Sequence, residues 1–279
     1  MIDRTVSPRC ISYYARSVND RIHIVCAANE SYAIGLAVTI RSLLMHLASH
    51  QAIQITILDT GIRDNTREKL LASWQYSCAE ISFQKTDLAS VNHLPLSNGM
   101  QSSVYVPLVI ADLIDSDRVL YLDADLIIHA DISPLWSTNI GSAPLGAVQD
   151  ISVSTPYFNS GVMVLNLKEW RRNAITQQSL SYAQRYPEKI QWWDQDVLNA
   201  VLQHTWQPLD PRWNVTVESA YLHRWEPKSN AKERTERLVQ SAWITHCLGR
   251  WKPWIHKSLH PKTSLFFDYL QHTAISCAM

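Results

Sequence analysis

The chain has 279 residues, 46% of them apolar and 18% charged, enough for one large domain or two small ones with a sizeable core. Its 25 Lys and Arg balance 25 Asp and Glu, so no net field draws it to nucleic acid or to an anionic membrane. No apolar run approaches the roughly 18–20 residues needed to span a bilayer, so stable membrane insertion is not expected.

Residues 1–20 carry Arg4, Arg9 and Arg16 among polar residues without an apolar stretch. That reads as a short leader rather than a secretory signal, with one domain over residues 21–279. The five cysteines, Cys10, Cys26, Cys78, Cys247 and Cys277, are odd in number and lack a C-x-x-C pair, which fits a reducing cytoplasm and argues against a cysteine zinc site. Seven glycines are few, and neither G-x-G-x-x-G nor G-x-x-x-x-G-K occurs, so a bound nucleotide would need another device.

The run Ile22–Ala27 reads as a buried first strand, followed by an Asn29-Glu30-Ser31 turn. Ser31 is placed to cap a helix through Ile34, Leu36, Val38, Ile40, Leu43, Leu44 and Leu47. Ile53–Leu58 reads as a second strand and Asp64–Trp74 as a second helix; Ile81–Phe83 and Ser103–Leu113 repeat the pattern. This alternation predicts an α/β fold with a parallel-type sheet and helices on both faces. Ligands of open α/β sheets sit at the carboxyl ends of the strands, where Asn29, Asp59, Asp123 and Asp125 fall.

Next comes Arg118–Ile128, an apolar run interrupted by Asp123 and Asp125. In extended backbone residues two apart point the same way, so both carboxylates would share a face. Two acids at a buried strand end are costly unless neutralised, and a divalent cation with hard oxygen ligands does this well. Beyond it, Leu145–Val148 reads as a strand, and Phe158–Leu167 as another entered through an Asn159-Ser160-Gly161 turn. Helices are expected from about Lys168, over Gln177–Arg185, and from Asp194, whose acids suit a first turn. Most of the eleven tryptophans lie in this half, some in the core and some suited to stacking on sugar rings.

Four segments in order resemble glycosyltransferase family 8: Tyr121–Leu126, Phe158–Val162, Trp193–Asn199 and His246–Trp254. The resemblance spans about Ile22 to Thr273. It implies a GT-A fold, a nucleotide-sugar-binding single domain with a mixed central sheet flanked by helices. It also implies a retaining, metal-dependent transfer of a hexose from a UDP-sugar, UDP-glucose or UDP-galactose, to a hydroxyl of a carbohydrate or other acceptor. Asp123, Asp125 and His246 would hold the metal, and an imidazole among carboxylates favours manganese (Mn2+) over magnesium.

The same resemblance assigns donor binding to Ala27, Asn29, Ser31, Tyr32, Asp123, Ala124, Asp150, Asn159, Ser160, Gly161, Asp194, Gln195, Gly249 and Lys252. Asn29 would meet the uracil edge and Tyr32 would stack on the base. Gly249 and Lys252 would hold the diphosphate; Asp150, Asn159, Asp194 and Gln195 would hold sugar hydroxyls. Gln195, Asp194 and Asp125 would carry catalysis. Two features depart from the pattern. Pro107 stands where family members commonly carry Arg and supplies no charge, and the loop Asp150–Tyr157 is short, so a more open acceptor site is expected. A haloacid-dehalogenase-type phosphatase fits poorly, because Leu126 follows the second Asp on a late strand. The alternative is a non-catalytic sugar-nucleotide- or carbohydrate-binding protein of the same fold.

Overall fold

A computed structural model describes residues 21–276 except 49–50, 98, 152, 154, 217–229, 250–251 and 256–261. The leader over 1–20, with Cys10, and Arg250, Trp251 and Cys277 lie outside the described residues.

The amino-terminal half follows the predicted alternation. Strand β1 (Ile22–Ala28) leads through a single 3-10 turn (Glu30–Tyr32) into helix α1 (Ala33–His46). Strand β2 (Ile53–Asp59), helix α2 (Asp64–Ser73) and strand β3 (Ala79–Lys85) follow, then a 3-10 turn (Ser102–Tyr105) that runs into helix α3 (Val106–Leu113). Ser31 does not cap α1. Asn29 caps the turn before it, accepting from the Ser31 N–H at 3.0 Å and its hydroxyl at 2.6 Å. Pro107 sits in the first turn of α3, where a missing N–H costs no helical hydrogen bond.

The Asp-x-Asp run is not one strand. Strand β4 (Arg118–Leu122) ends before Asp123, the chain turns through Ala124, and strand β5 (Leu126–Ile128) joins a different sheet. Helix α4 (Ser133–Trp136), strand β6 (Leu145–Gln149), strand β7 (Phe158–Asn166), helix α5 (Leu167–Arg172), helix α6 (Ile175–Arg185) and helix α7 (Trp193–Leu202) follow. Asn159, Ser160 and Gly161 lie within β7, not in a turn before it; the pairing with β6 slips between Ala147 and Val148, so this stretch bulges from its partner. Short strands β8 (Gln207–Pro208), β9 (Val215–Thr216) and β10 (Ile244–His246) and helices α8 (Asn230–Gln240) and α9 (Thr263–Leu270) complete the described chain.

The main sheet has seven strands in the order β3-β2-β1-β4-β7-β6-β8. It is mixed: β1 to β4 pair in parallel, while β7 runs antiparallel to both β4 and β6. Helices cover both faces, so the inner strands bury alternate residues on opposite sides and read as continuous apolar runs. Ile22, Ile24 and Cys26 pack with α1 on one face; Val25, Val119 and Tyr121 pack with α3, α5 and α7 on the other.

The second sheet, β5-β10-β9, is small, and α1 satisfies its open edge. The buried Thr39 hydroxyl donates to Leu126 O and accepts from Leu126 N, both at 3.0 Å, and Ser42 Oγ accepts from Ile128 N at 3.0 Å. Two buried hydroxyls on the helix thus replace a missing strand. They fix where the Asp-x-Asp turn leaves the main sheet. Among the described residues no helix is long and apolar enough to cross a membrane.

Candidate active site

The turn between β4 and β5 is clamped by its backbone. Asp123 N–H donates to Gly161 O at 2.9 Å, and Asp125 O accepts from Cys247 N–H at 2.9 Å. These bonds bring β7 and the end of β10 against the turn. His246, fully buried on β10, then places Nε2 at 3.1 Å from Asp125 Oδ1 and 3.6 Å from Asp123 Oδ2. Candidate ligand atoms of Asp123, Asp125 and His246 lie within 4.8 Å of one another. Side chains predicted to share a strand face meet instead across a turn and a second sheet.

Two glycines make this approach feasible. A Cβ on Gly161 would stand 2.2 Å from His246 Cε1 and 2.8 Å from Asp123 Oδ2; one on Gly35 of α1 would stand 2.3 Å from Ala124 O. Only hydrogen leaves room at either position.

The electrostatics are unbalanced toward the acids. Asp123, a third exposed, has its carboxyl pushed up by burial and by the facing Asp125 charge. Asp194 is pushed well above the carboxylate range by burial and by Asp123, while Ser160 bonds to it. Burial also opposes ionisation of Asp125, but the Lys252 ammonium and His246 outweigh it and hold that carboxyl well below the usual range. Lys252 is itself buried; it donates to Asp125 Oδ2 and, at 2.9 Å, to Cys247 O, and Asp125 keeps its pKa raised against burial.

These residues fit a divalent cation. His246 Nδ1 faces Asn214 Oδ1 at 2.9 Å, so Nδ1 carries a proton and Nε2 is the ring nitrogen turned to the two carboxylates. Nε2 is buried, and its near neighbours are the carboxylate oxygens of Asp125 at 3.1 Å and Asp123 at 3.6 Å. Two carboxylates and an imidazole nitrogen converging on one point form a donor set suited to a divalent cation.

The other predicted residues fall around this centre with varied engagements. Asn29 is buried with both amide ends used, its Nδ2 donating to Gln101 Oε1 at 2.7 Å and Ser103 Oγ at 3.3 Å. Tyr32 is half-buried, edge-on to Trp254 at 5.8 Å, with Lys252 Nζ 5.6 Å from its ring centroid. Ser31 O receives the Trp254 indole N–H at 3.3 Å. Gly249, three positions before Lys252, has φ +78°, a backbone conformation that favours glycine. Asp150 follows β6 directly, its N–H bonded to Tyr157 O at 2.8 Å. Asn159 Nδ2 donates to Gln195 Oε1 at 2.8 Å, and Ser160 N–H faces the same oxygen at 3.4 Å.

Asp59 is not drawn into the cluster. It accepts from Gly61 N–H and Ile62 N–H and pairs with Arg67 at 2.9 Å, so it closes its own loop. Asn214, Gly35 and Asn199 were not legible as site residues. Asn199 of α7 brackets the start of β7, exchanging hydrogen bonds with Phe158 N and O, both at 2.9 Å. No local pattern marks an asparagine whose partners lie 32 and 55 positions away, as those of Asn214 do.

Comparison with known proteins follows the same lines. A family model described as Glycosyl transferase family 8 matches residues 23–258. General stress protein A of Bacillus subtilis (strain 168) is 27% identical, over 90% of this chain and 94% of its own. Lipopolysaccharide 1,2-glucosyltransferase of Escherichia coli (strain K12) is 24% identical, over 92% of this chain and 80% of its own. The crystal structure of galactosyltransferase LgtC in complex with donor and acceptor sugar analogs matches with a TM-score of 0.79 at 26% identity, covering 90% of this chain and 96% of that one.

Proposed function

The chain belongs to glycosyltransferase family 8 and has the GT-A fold, and we propose that it is a metal-dependent, retaining hexosyltransferase. Its donor on this reading is a UDP-sugar, UDP-glucose or UDP-galactose, and its acceptor a hydroxyl of a carbohydrate or similar molecule. The observation that carries the reading is the convergence of Asp123, Asp125 and buried His246, whose candidate ligand atoms lie within 4.8 Å of one another. Relatives named as a glucosyltransferase and a galactosyltransferase support the hexose class.

Asp123, Asp125 and His246 would hold manganese, with magnesium as the alternative ion. When bound, it supplies positive charge to the donor's diphosphate and so stabilises the leaving group. Lys252 and Gly249 take the phosphates; Asn29, Ser31 and Tyr32, with Ala27, take the nucleoside at the end of β1. Asp150, Asn159, Ser160 and Asp194 surround the sugar.

Gln195 is an amide and a poor nucleophile, so a covalent glycosyl intermediate is not expected on it. The acceptor oxygen instead bonds C1 on the face from which UDP departs. The C1–O bond to phosphate breaks, and the acceptor proton passes to a phosphate oxygen of the leaving UDP. Gln195 steadies the cationic sugar through its amide oxygen, which Asn159 already orients; a carbonyl oxygen accepts more than one hydrogen bond. The reading places catalysis in one domain over residues 21–279 and the protein in the cytoplasm, where buried thiols such as Cys26 and Cys247 stay reduced.

The test is incubation with UDP-glucose and UDP-galactose, with manganese and with chelator, followed by NMR of the anomeric proton. Metal-dependent release of UDP and an α product from an α donor are expected; a β product would sink the mechanism. A second reading rests on Pro107, buried in α3 and without charge where the family commonly has Arg. Thermal stabilisation by UDP-sugars and manganese without any turnover would favour that non-catalytic binding protein.

A further inference from the structure

Asn214 ends the 3-10 turn Pro211–Asn214, immediately before β9, and is buried. Both ends of its amide are used inside the protein. Oδ1 faces His246 Nδ1 at 2.9 Å, and Nδ2 donates to Asn159 Oδ1 at 2.7 Å. Asn159 is used in the same way: Oδ1 also accepts from Gly161 N–H at 3.0 Å, and Nδ2 donates to Gln195 Oε1 at 2.8 Å.

The direction of every bond in this chain follows from backbone groups. A backbone N–H can only donate, so the end of Asn159 facing Gly161 N–H is its oxygen. Its nitrogen then faces Gln195, which must answer with oxygen; Ser160 N–H asks the same of it. The Asn159 oxygen requires the amino group of Asn214, so the Asn214 oxygen turns to His246. The imidazole must then carry a proton on Nδ1, so Nε2 is the nitrogen offered toward Asp123 and Asp125.

We infer that Asn214 and Asn159 are positioning residues, forming an amide relay from Gly161 N–H that fixes the His246 tautomer and orients Gln195 together. The inference rests on the functional reading above for its consequences, and it deepens that reading. The relay ties the residue that would ligate the metal to the residue that would steady the sugar, through two side chains that touch neither the ion nor the reacting carbon. Partners of this kind fix ring orientation at metal sites, and their removal typically costs 10–100-fold in affinity.

Three variants separate the relay's two ends. Asn214→Leu removes both bonds and should weaken manganese binding about 10–100-fold by calorimetry without donor. Asn214→Asp keeps an oxygen against His246 Nδ1–H but loses the donor to Asn159. It should keep manganese affinity while kcat falls and KM for the donor stays near wild type. Asn159→Asp keeps both of its acceptor bonds but cannot donate to Gln195, and should likewise keep manganese affinity while kcat falls. Circular dichroism would establish that each variant is folded. Unchanged manganese affinity in folded Asn214→Leu, or equal losses of affinity in Asn214→Asp and Asn214→Leu, would overturn the relay.

A readout independent of turnover separates the relay from the functional reading. Long-range proton–nitrogen NMR of the metal-free, histidine-labelled protein, assigned with His246→Gln, should show His246 protonated on Nδ1 in wild type. The Nε2–H tautomer there would overturn the relay, whatever the activity. The Nδ1–H tautomer in a protein that neither binds manganese nor consumes donor would uphold the relay and end the functional reading alone.

Discussion

Lys252 is the counter-ion of Asp125: its ammonium lies against Oδ2, while His246 Nε2 stands 3.1 Å from Oδ1 of the same carboxylate. Both groups are buried, and removing one partner of a buried ion pair leaves an uncompensated charge that costs about 3–5 kcal/mol. Lys252→Met is therefore expected to lower the Tm of the metal-free protein markedly. Manganese should restore more of that loss than it adds to wild type, because it supplies the missing positive charge. Equal thermal shifts with manganese in both proteins would contradict this.

Asp123 contributes differently. Its side chain is 34% exposed, so Asp123→Asn should fold normally. Turnover of the donor should fall about 10²–10³-fold, the usual loss when one electrostatic contact to developing charge is removed. Chelator should reduce wild type at least as far. Steady-state kinetics on a UDP-sugar decide it, and near-wild-type activity would remove Asp123 from the ligand set.

Gly161→Ala puts a carbon where 2.2 Å separates it from His246 Cε1. Relief requires moving the histidine or the strand, and overpacking of this kind costs about 1–3 kcal/mol. The expected outcome is a modest drop in Tm with a disproportionate loss of manganese affinity. Calorimetry showing wild-type affinity would mean that the cradle is not the ion's site.

For the nucleotide, UDP should bind better than GDP or CDP. Tyr32→Ala should weaken UDP by about 1–3 kcal/mol, the worth of a base–aromatic stack. A Tyr32→Phe control should retain most of the affinity, since the ring does the stacking. Equal loss in both variants would point to the hydroxyl instead.

His23 provides a pH test away from the site. It is buried between Ser116 Oγ at 2.9 Å and Thr56 Oγ1 at 3.0 Å, and burial, with Arg21, lowers its pKa from 6.5 to about 4. The unfolded chain takes up this proton below about pH 6.5, whereas the fold refuses it until about pH 4. Stability should therefore be full above pH 6.5 and fall by up to roughly 3 kcal/mol toward pH 4, at about 1.4 kcal/mol per unit. His23→Gln should flatten that part of the profile in urea titrations; an unchanged slope would mean that His23 titrates normally in the fold.

The sequence by itself determined the first half of the sheet and marked the two carboxylates of the candidate metal site. Strands β1 and β2 and helices α1 and α2 are legible because burial on both faces demands continuous apolar runs, and helical spacing shows wherever one face is covered. Asp123 and Asp125 stand out because carboxylates inside such a run are costly unless something neutralises them. Tertiary structure decided how the cluster is built. The two acids converge across a turn, not along a strand, because Thr39 and Ser42 of α1 draw β5 into a second sheet. Asp59, placed at a strand end like the others, closes on Arg67 and leaves the site. The antiparallel return of β7, the space left by Gly35 and Gly161, and the bonds from Asn214 to His246 and Asn159 join residues tens to more than a hundred positions apart. Such contacts have no local periodicity to betray them, because the physical constraint is a shared position in space set by how the two sheets pack.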